Sequence, residues 1–116
     1  MVILIVREPV ETATVRQAAT ESFGDMAKAV VDIGRGVLAL GGELHADAEE
    51  VLLKDGSRQE DLWGINLYPE RPVADWIEYS SLINVRPKAG NRSVVIADEG
   101  LRAKIRAVVE RLIPRV

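Results

Sequence analysis

The spacing of hydrophobic and polar positions changes several times along the chain, and each change marks an element. Val2-Ile3-Leu4-Ile5-Val6 is an unbroken apolar run dominated by β-branched residues. That is the pattern of a strand covered on both faces, so the sequence places it centrally, or at least in a protected position, and Pro9 closes it. From Thr12 to Phe23 the positions Val15, Ala18, Ala19, Ser22 and Phe23 return at helical spacing. Thr12 is a favourable N-cap, and Gly24 stands where a C-cap glycine belongs. Residues 28–40 carry two patterns at once. Met26, Val30, Ile33, Val37 and Leu40 fit a helical stripe, whereas stiff Val30, Val31 and Ile33 and the Gly34-Arg35-Gly36 interruption favour a hairpin. The hairpin is preferred, with strands near 28–33 and 37–41.

Beyond Gly41-Gly42, the residues Leu44, Ala48, Val51 and Leu52 recur with helical period and Asp55-Gly56 supplies a stop. Leu62 to Tyr68 alternates as a strand, with Trp63, Ile65 and Leu67 on the inward face and Leu62, Gly64, Asn66 and Tyr68 on the other. Pro69 to Pro72 makes a turn, residues 76–85 a further strand, residues 86–91 a loop and residues 93–96 a last strand. Asp98 caps a final helix whose buried stripe is Leu101, Ile105, Val108, Val109 and Leu112. The order β-α-β-β-α-β-β-β-α predicts an α+β fold in which a mainly antiparallel sheet of five or six strands packs with three helices.

Composition narrows the function classes. With 116 residues the chain is expected to form a single domain (1–116) with a core of its own. Lys and Arg number 15 against 18 Asp and Glu, so the chain lacks the broad positive field that binding to a phosphate backbone requires, and no nucleic-acid partner is expected. The absence of cysteine removes thiolate chemistry and Cys-ligated metal. The apolar segment Met1 to Val6 is too short to span a bilayer, so no membrane role is expected and the cytoplasm is the default location.

Candidate chemistry gathers in three places. Gly41-Gly42-Glu43-Leu44-His45-Ala46-Asp47-Ala48-Glu49 sets the one histidine among carboxylates. Extended backbone would align Glu43, His45 and Asp47, and helical backbone would align His45 with Glu49; either arrangement could orient a general base or hold a divalent cation. His45, Asp47 and Glu49 are therefore the catalytic candidates. The preferred reading is plainer: His45 hydrogen-bonds at a helix start while Asp47 and Glu49 complement the helix dipole. The second group is aromatic: Trp63, Tyr68, Trp76 and Tyr79 fall on adjacent strands, Trp63 as core and Trp76 with Tyr79 as candidate interface. The third is Asn84, Arg86, Asn91 and Arg92 about the Lys88-Ala89-Gly90 loop, an anion site by residue type but more simply a polar hairpin mouth. Ligand-binding candidates taken together are Glu43, His45, Asn66, Asn84, Arg86 and Arg92.

The blocks Gly-Gly-Glu-Leu-His-Ala-Asp-Ala-Glu (41–49), Asp-Leu-Trp-Gly-Ile-Asn-Leu-Tyr-Pro (61–69), Ser-Leu-Ile-Asn-Val-Arg-Pro (81–87) and Gly-Asn-Arg-Ser (90–93) are joined by Gly-Asp-Met (24–26) and Val-Val-Asp-Ile (30–33). With them the chain resembles, over nearly its whole length, a family of small uncharacterised bacterial proteins defined as a domain of unknown function. The resemblance implies no activity, cofactor or partner. From the residues alone, the favoured function is a non-catalytic binding or assembly module, expected to self-associate as a homodimer through a sheet edge or the Trp76 hairpin, with no cofactor or metal required. The alternative is a small enzyme or metal-binding protein centred on His45 and its carboxylates.

Overall fold

Asp32 shows how local chemistry sets the central hairpin. Its buried carboxylate accepts the backbone N–H groups of Gly34 and Arg35 at 2.9 and 2.8 Å, and Gly36 adopts φ +70°. The chain therefore turns between β2 (Ala27–Asp32) and β3 (Val37–Leu40) and does not continue as a helix. The remaining strands in the computed structural model, which describes residues 2–115, are β1 (Leu4–Val6), β4 (Leu62–Leu67) and β5 (Ile77–Glu78). Met1, at the head of the N-terminal apolar segment, lies outside the described residues. The sheet order is β1-β3-β2-β4-β5 and every neighbouring pair is antiparallel.

Strand alternation then sorts the core into two layers. Val6, Leu38, Leu40, Ala29, Val31, Trp63, Ile65 and Leu67 share one core with Val15 and Ala19 of α1 (Thr12–Thr20) and with Ile105, Val109 and Leu112 of α3 (Glu99–Leu112). On the opposite face Val30, Val37, Ala39 and Leu62 pack with Ala48 and Leu52 of α2 (His45–Lys54). Each fully buried Leu or Ile in these layers contributes roughly 1.5–3 kcal/mol. The α+β class, the three helices, the antiparallel sheet and the order of elements are those expected from the sequence. Among the described residues no helix is long and apolar enough to cross a membrane.

Five details differ. The apolar run at residues 2–6 forms an edge strand and not a central one: Leu4 is 42% and Val2 73% exposed. A β-branched run specifies extended backbone, whereas position in the sheet depends on pairing. Thr12 is the first helical residue of α1, one place after the N-cap Glu11. The segment expected as a strand over 76–85 keeps regular pairing only at Ile77–Glu78, then coils into a single turn at Leu82–Asn84. Residues 93–96 contribute one bridge, Ser80 opposite Val95. Trp76, expected at the surface, is 2% exposed and joins the core that holds Ile96, Leu112 and Ile113, with the Arg115 guanidinium 4.8 Å from its ring centre. An aromatic self-association surface therefore cannot be built on Trp76.

Candidate functional site

Gly64 explains why a site can form over β4. A Cβ built there would lie 2.5 Å from the Ser81 Cβ and 3.1 Å from the His45 Cδ2. The missing side chain lets both the start of α2 and the Ser80-Ser81 segment settle onto the strand. His45 is the first residue of α2 and is buried; its Nε2 donates to the Ile65 carbonyl at 2.8 Å, which requires a proton on that nitrogen. Burial holds the His45 pKa below its ordinary value of 6.5; the Ile65 carbonyl and the Asn66 carboxamide pull the other way, and the positive charge of Lys28 reinforces the lowering.

Register places the other polar groups beside it. Lys28 on β2 sits opposite Asn66 on β4, and Asn66 opposite Glu78 on β5, so the three form a row across the sheet. The Asn66 amide donates through Nδ2 to Glu78 Oε1 at 2.7 Å and to the Ser80 carbonyl at 3.3 Å. Two acceptors on that side fix the amide orientation, and the carboxamide oxygen is buried without solvent-accessible surface. A pocket of about 390 Å³ lies over this group. Lys28, His45, Asn66, Ser80 and Ser81 supply its polar lining, and Leu44, Leu82, Ile83 and Val94 its apolar lining. His45 in this setting is a poor base near neutrality: one nitrogen is committed to a carbonyl, and protonating the other is disfavoured.

The other candidates lie elsewhere. Glu43 and Asp47 are exposed, and among the described residues no carboxylate lies within ion-pair distance of His45. Glu49, one helical turn on, turns to Arg86 at 3.6 Å. No group of three His, Asp or Glu side chains able to hold a metal ion occurs among the described residues. Asn84 is fully buried and works as a strand neighbour for β4: its Oδ1 accepts from the Gly64 N–H at 2.8 Å, and its Nδ2 donates to the Gly64 carbonyl at 2.9 Å and to the Val94 carbonyl at 3.2 Å. Asn91 donates to the Asn84 and Ser93 carbonyls at 2.8 and 2.9 Å. Arg86 donates to the carbonyls of Ile83, Gln59 and Leu62 and lies 4.5 Å over the Trp63 ring. Its donors are committed to the fold, and desolvation lowers its pKa against the opposing pull of Glu49. Arg92 is exposed and does not line the pocket. Tyr79 lies in a separate cleft, where the Arg102 guanidinium covers its ring at 4.7 Å and Arg106 donates to its hydroxyl at 3.3 Å.

With the geometry in place, comparison with known proteins adds one fact. A family model described as "Protein of unknown function (DUF5674)" matches residues 4–112. The chain belongs to that family. No curated protein and no solved structure matches it. Membership brings no reaction, ligand or partner, so the reading of the site rests on its own residues.

Of the residues singled out in the sequence, only His45 and Asn66 share the pocket. Lys28, Ser80, Ser81 and the apolar lining were not picked out, because each looks ordinary in its own segment. One indication was available: a glycine in the interior of an otherwise apolar strand marks a close approach, and Gly64 stands at the centre of this one.

Proposed function

We propose that this protein is a non-catalytic binding module whose ligand occupies the pocket between the start of α2, β4 and residues 80–83. One observation carries the reading: the buried side chains of His45, Asn66 and Ser81 converge on a single pocket whose remaining lining, Leu44, Leu82, Ile83 and Val94, is apolar. Apolar lining around a few convergent polar groups is the usual make-up of a small-molecule site. The enzyme reading, centred on His45, has no carboxylate at the imidazole in its favour.

Leu82 provides the test, because it is 81% exposed and lines the pocket, so Leu82→Arg obstructs the mouth without entering the core. Small fragments that raise the melting temperature of the natural protein should lose their effect in this variant, while the unliganded variant melts within about 2 °C of the natural one, as surface substitutions usually do. Equal fragment stabilisation in both proteins would place the ligand elsewhere.

A further inference from the structure

We infer that the cleft beside Tyr79 docks the free C-terminus of an extended partner peptide, which adds a strand to β5 and sets its terminal carboxylate against Arg102 and Arg106. The cleft shares only Ser80 with the His45–Asn66 pocket. Backbone is the first argument. The Tyr68 N–H donates to the Trp76 carbonyl at 2.9 Å and Asn66 stands opposite Glu78, so Trp76 and Glu78 direct their backbone groups at β4. Alternation then points the N–H and carbonyl of Ile77, and those of Tyr79, away from β4. At Tyr79 this outer edge is taken: its carbonyl accepts the Ile96 N–H at 3.0 Å, and Ser80 bridges Val95. At Ile77 no backbone group takes it among the described residues, and the edge there borders a cleft of about 970 Å³. Such an edge accepts an added strand. A strand laid on Ile77 must stop at Tyr79, because residues 94–96 hold the edge beyond it.

Charge is the second argument and is independent of the first. Arg102 Nε donates at 2.6 Å to the carbonyl of Ile96, the residue that closes the edge. Its guanidinium covers the Tyr79 ring while Arg106 Nε donates to the Tyr79 hydroxyl, so one tyrosine holds both. Among the described residues no carboxylate lies within ion-pair distance of either arginine. Two guanidiniums pinned through Nε keep their terminal donors for a carboxylate, and an anion between them relieves the repulsion of like charges. Asp75, Glu78 and Glu110 line the same cleft and offset Arg71, Arg102 and Arg106. One localised negative charge therefore suits the cleft better than an acidic or phosphorylated segment. A strand that ends at Tyr79 delivers that charge as its terminal carboxylate, and if it enters parallel to β5 the carboxylate also meets the Tyr79 N–H. Val73 and Val95, 54% and 44% exposed, offer apolar surface to its side chains.

The experiment is amide NMR on the full chain with a pool of acetylated tetrapeptides carrying Val, Ile or Thr at each position, prepared as C-terminal acids and as C-terminal amides. β-Branched residues favour extended backbone, and a pool makes the result independent of any one sequence. The acids should shift the Ile77 and Tyr79 amides saturably, slow hydrogen exchange at Ile77 and leave Leu44–Ala46 unmoved. The amides should bind about tenfold or more weakly, the factor for a lost charge-assisted contact. Arg106→Gln, a change at an exposed position, should weaken the acids by a similar factor and leave the amides as they were. Equal binding of acids and amides, or no effect of Arg106→Gln, would overturn the inference. So would an Ile77 amide unmoved by the acids, shifts that acetate alone reproduces, which mean an anion site only, or an Ile77 shift on concentrating the protein alone, which means a second copy. Small fragments offer no strand to Ile77, so none of these results bears on the His45–Asn66 pocket.

Discussion

His45 illustrates how a residue conspicuous in sequence can be settled by one hydrogen bond. Its Nε2 holds the Ile65 carbonyl, so His45→Ala removes a buried donor and should cost about 1–3 kcal/mol in denaturant unfolding. His45→Asn should recover part of that loss, because an amide can replace the donor. The pH dependence has a definite sign. Burial makes the folded form bind the proton less readily than the unfolded chain, so the contribution of neutral His45 is complete above about pH 6.5 and declines as pH falls below it. The Asn variant should lose that decline. Unfolding curves from pH 7.5 down to about 5 check it, and an identical slope in both proteins would mean the imidazole does not titrate differently on folding. Asp55 acts at lower pH: hydrogen bonds from Arg7 and Arg35 bring its pKa from 3.8 to about 2, so the stability it lends is present above about 3.8 and lost as pH falls toward 2. Asp55→Asn should flatten the acid limb of the same curves.

At the scale of elements, β4 is the strand on which the site depends, and its outer edge is closed in an unusual way. β5 pairs with it only at Asn66 and Leu67; at Gly64 the Asn84 side chain takes the place of a neighbouring strand, and at Leu62 Arg86 bonds the carbonyl. Asn84→Ala should leave the Gly64 N–H and carbonyl unpaired and cost about 2–4 kcal/mol, with faster hydrogen exchange at Gly64. A loss under about 0.5 kcal/mol would mean water or a shifted strand replaces it without penalty. Gly64→Ala drives a methyl group against Ser81 and His45 and should cost about 1–3 kcal/mol while weakening any ligand in the pocket. These elements were legible to different degrees. The helices and the hairpin expected over 28–41 followed from hydrophobic period, β-branched residues and the Gly34-Arg35-Gly36 interruption, whereas the Asp32 carboxylate that holds the turn did not stand out. The sheet's edge did not, because the polar residues over 84–92 have the composition of an anion site as much as that of a loop. Which one they make depends on Asn84 and Arg86 reaching the carbonyls of β4, some twenty residues earlier in the chain.

For the whole molecule, the site joins stretches that are remote in sequence: Lys28 on β2, His45 at the start of α2, Asn66 on β4, and residues 80–83 with Val94. His45 and Asn66 stood out because their residue types carry chemistry, but the sequence had no way to pair Lys28 with Asn66 before the sheet register was known. Trp76 erred in the other direction: it was expected at an interface, yet the single turn Val73–Asp75 that precedes it folds the indole inward. Among the described residues the His45–Asn66 pocket, the groove beside Arg86 and the cleft beside Tyr79 compete as ligand sites. Mapping amide chemical shifts while a fragment mixture is added separates them in one measurement. The predicted result is perturbation confined to Leu44–Ala46, the Asn66 side chain, Ser80–Ile83 and Val94, with Arg86–Arg92 and Arg102–Arg106 unmoved. Perturbation centred on Arg86–Arg92 or on Tyr79 and Arg106, with the His45–Asn66 pocket silent, would contradict it.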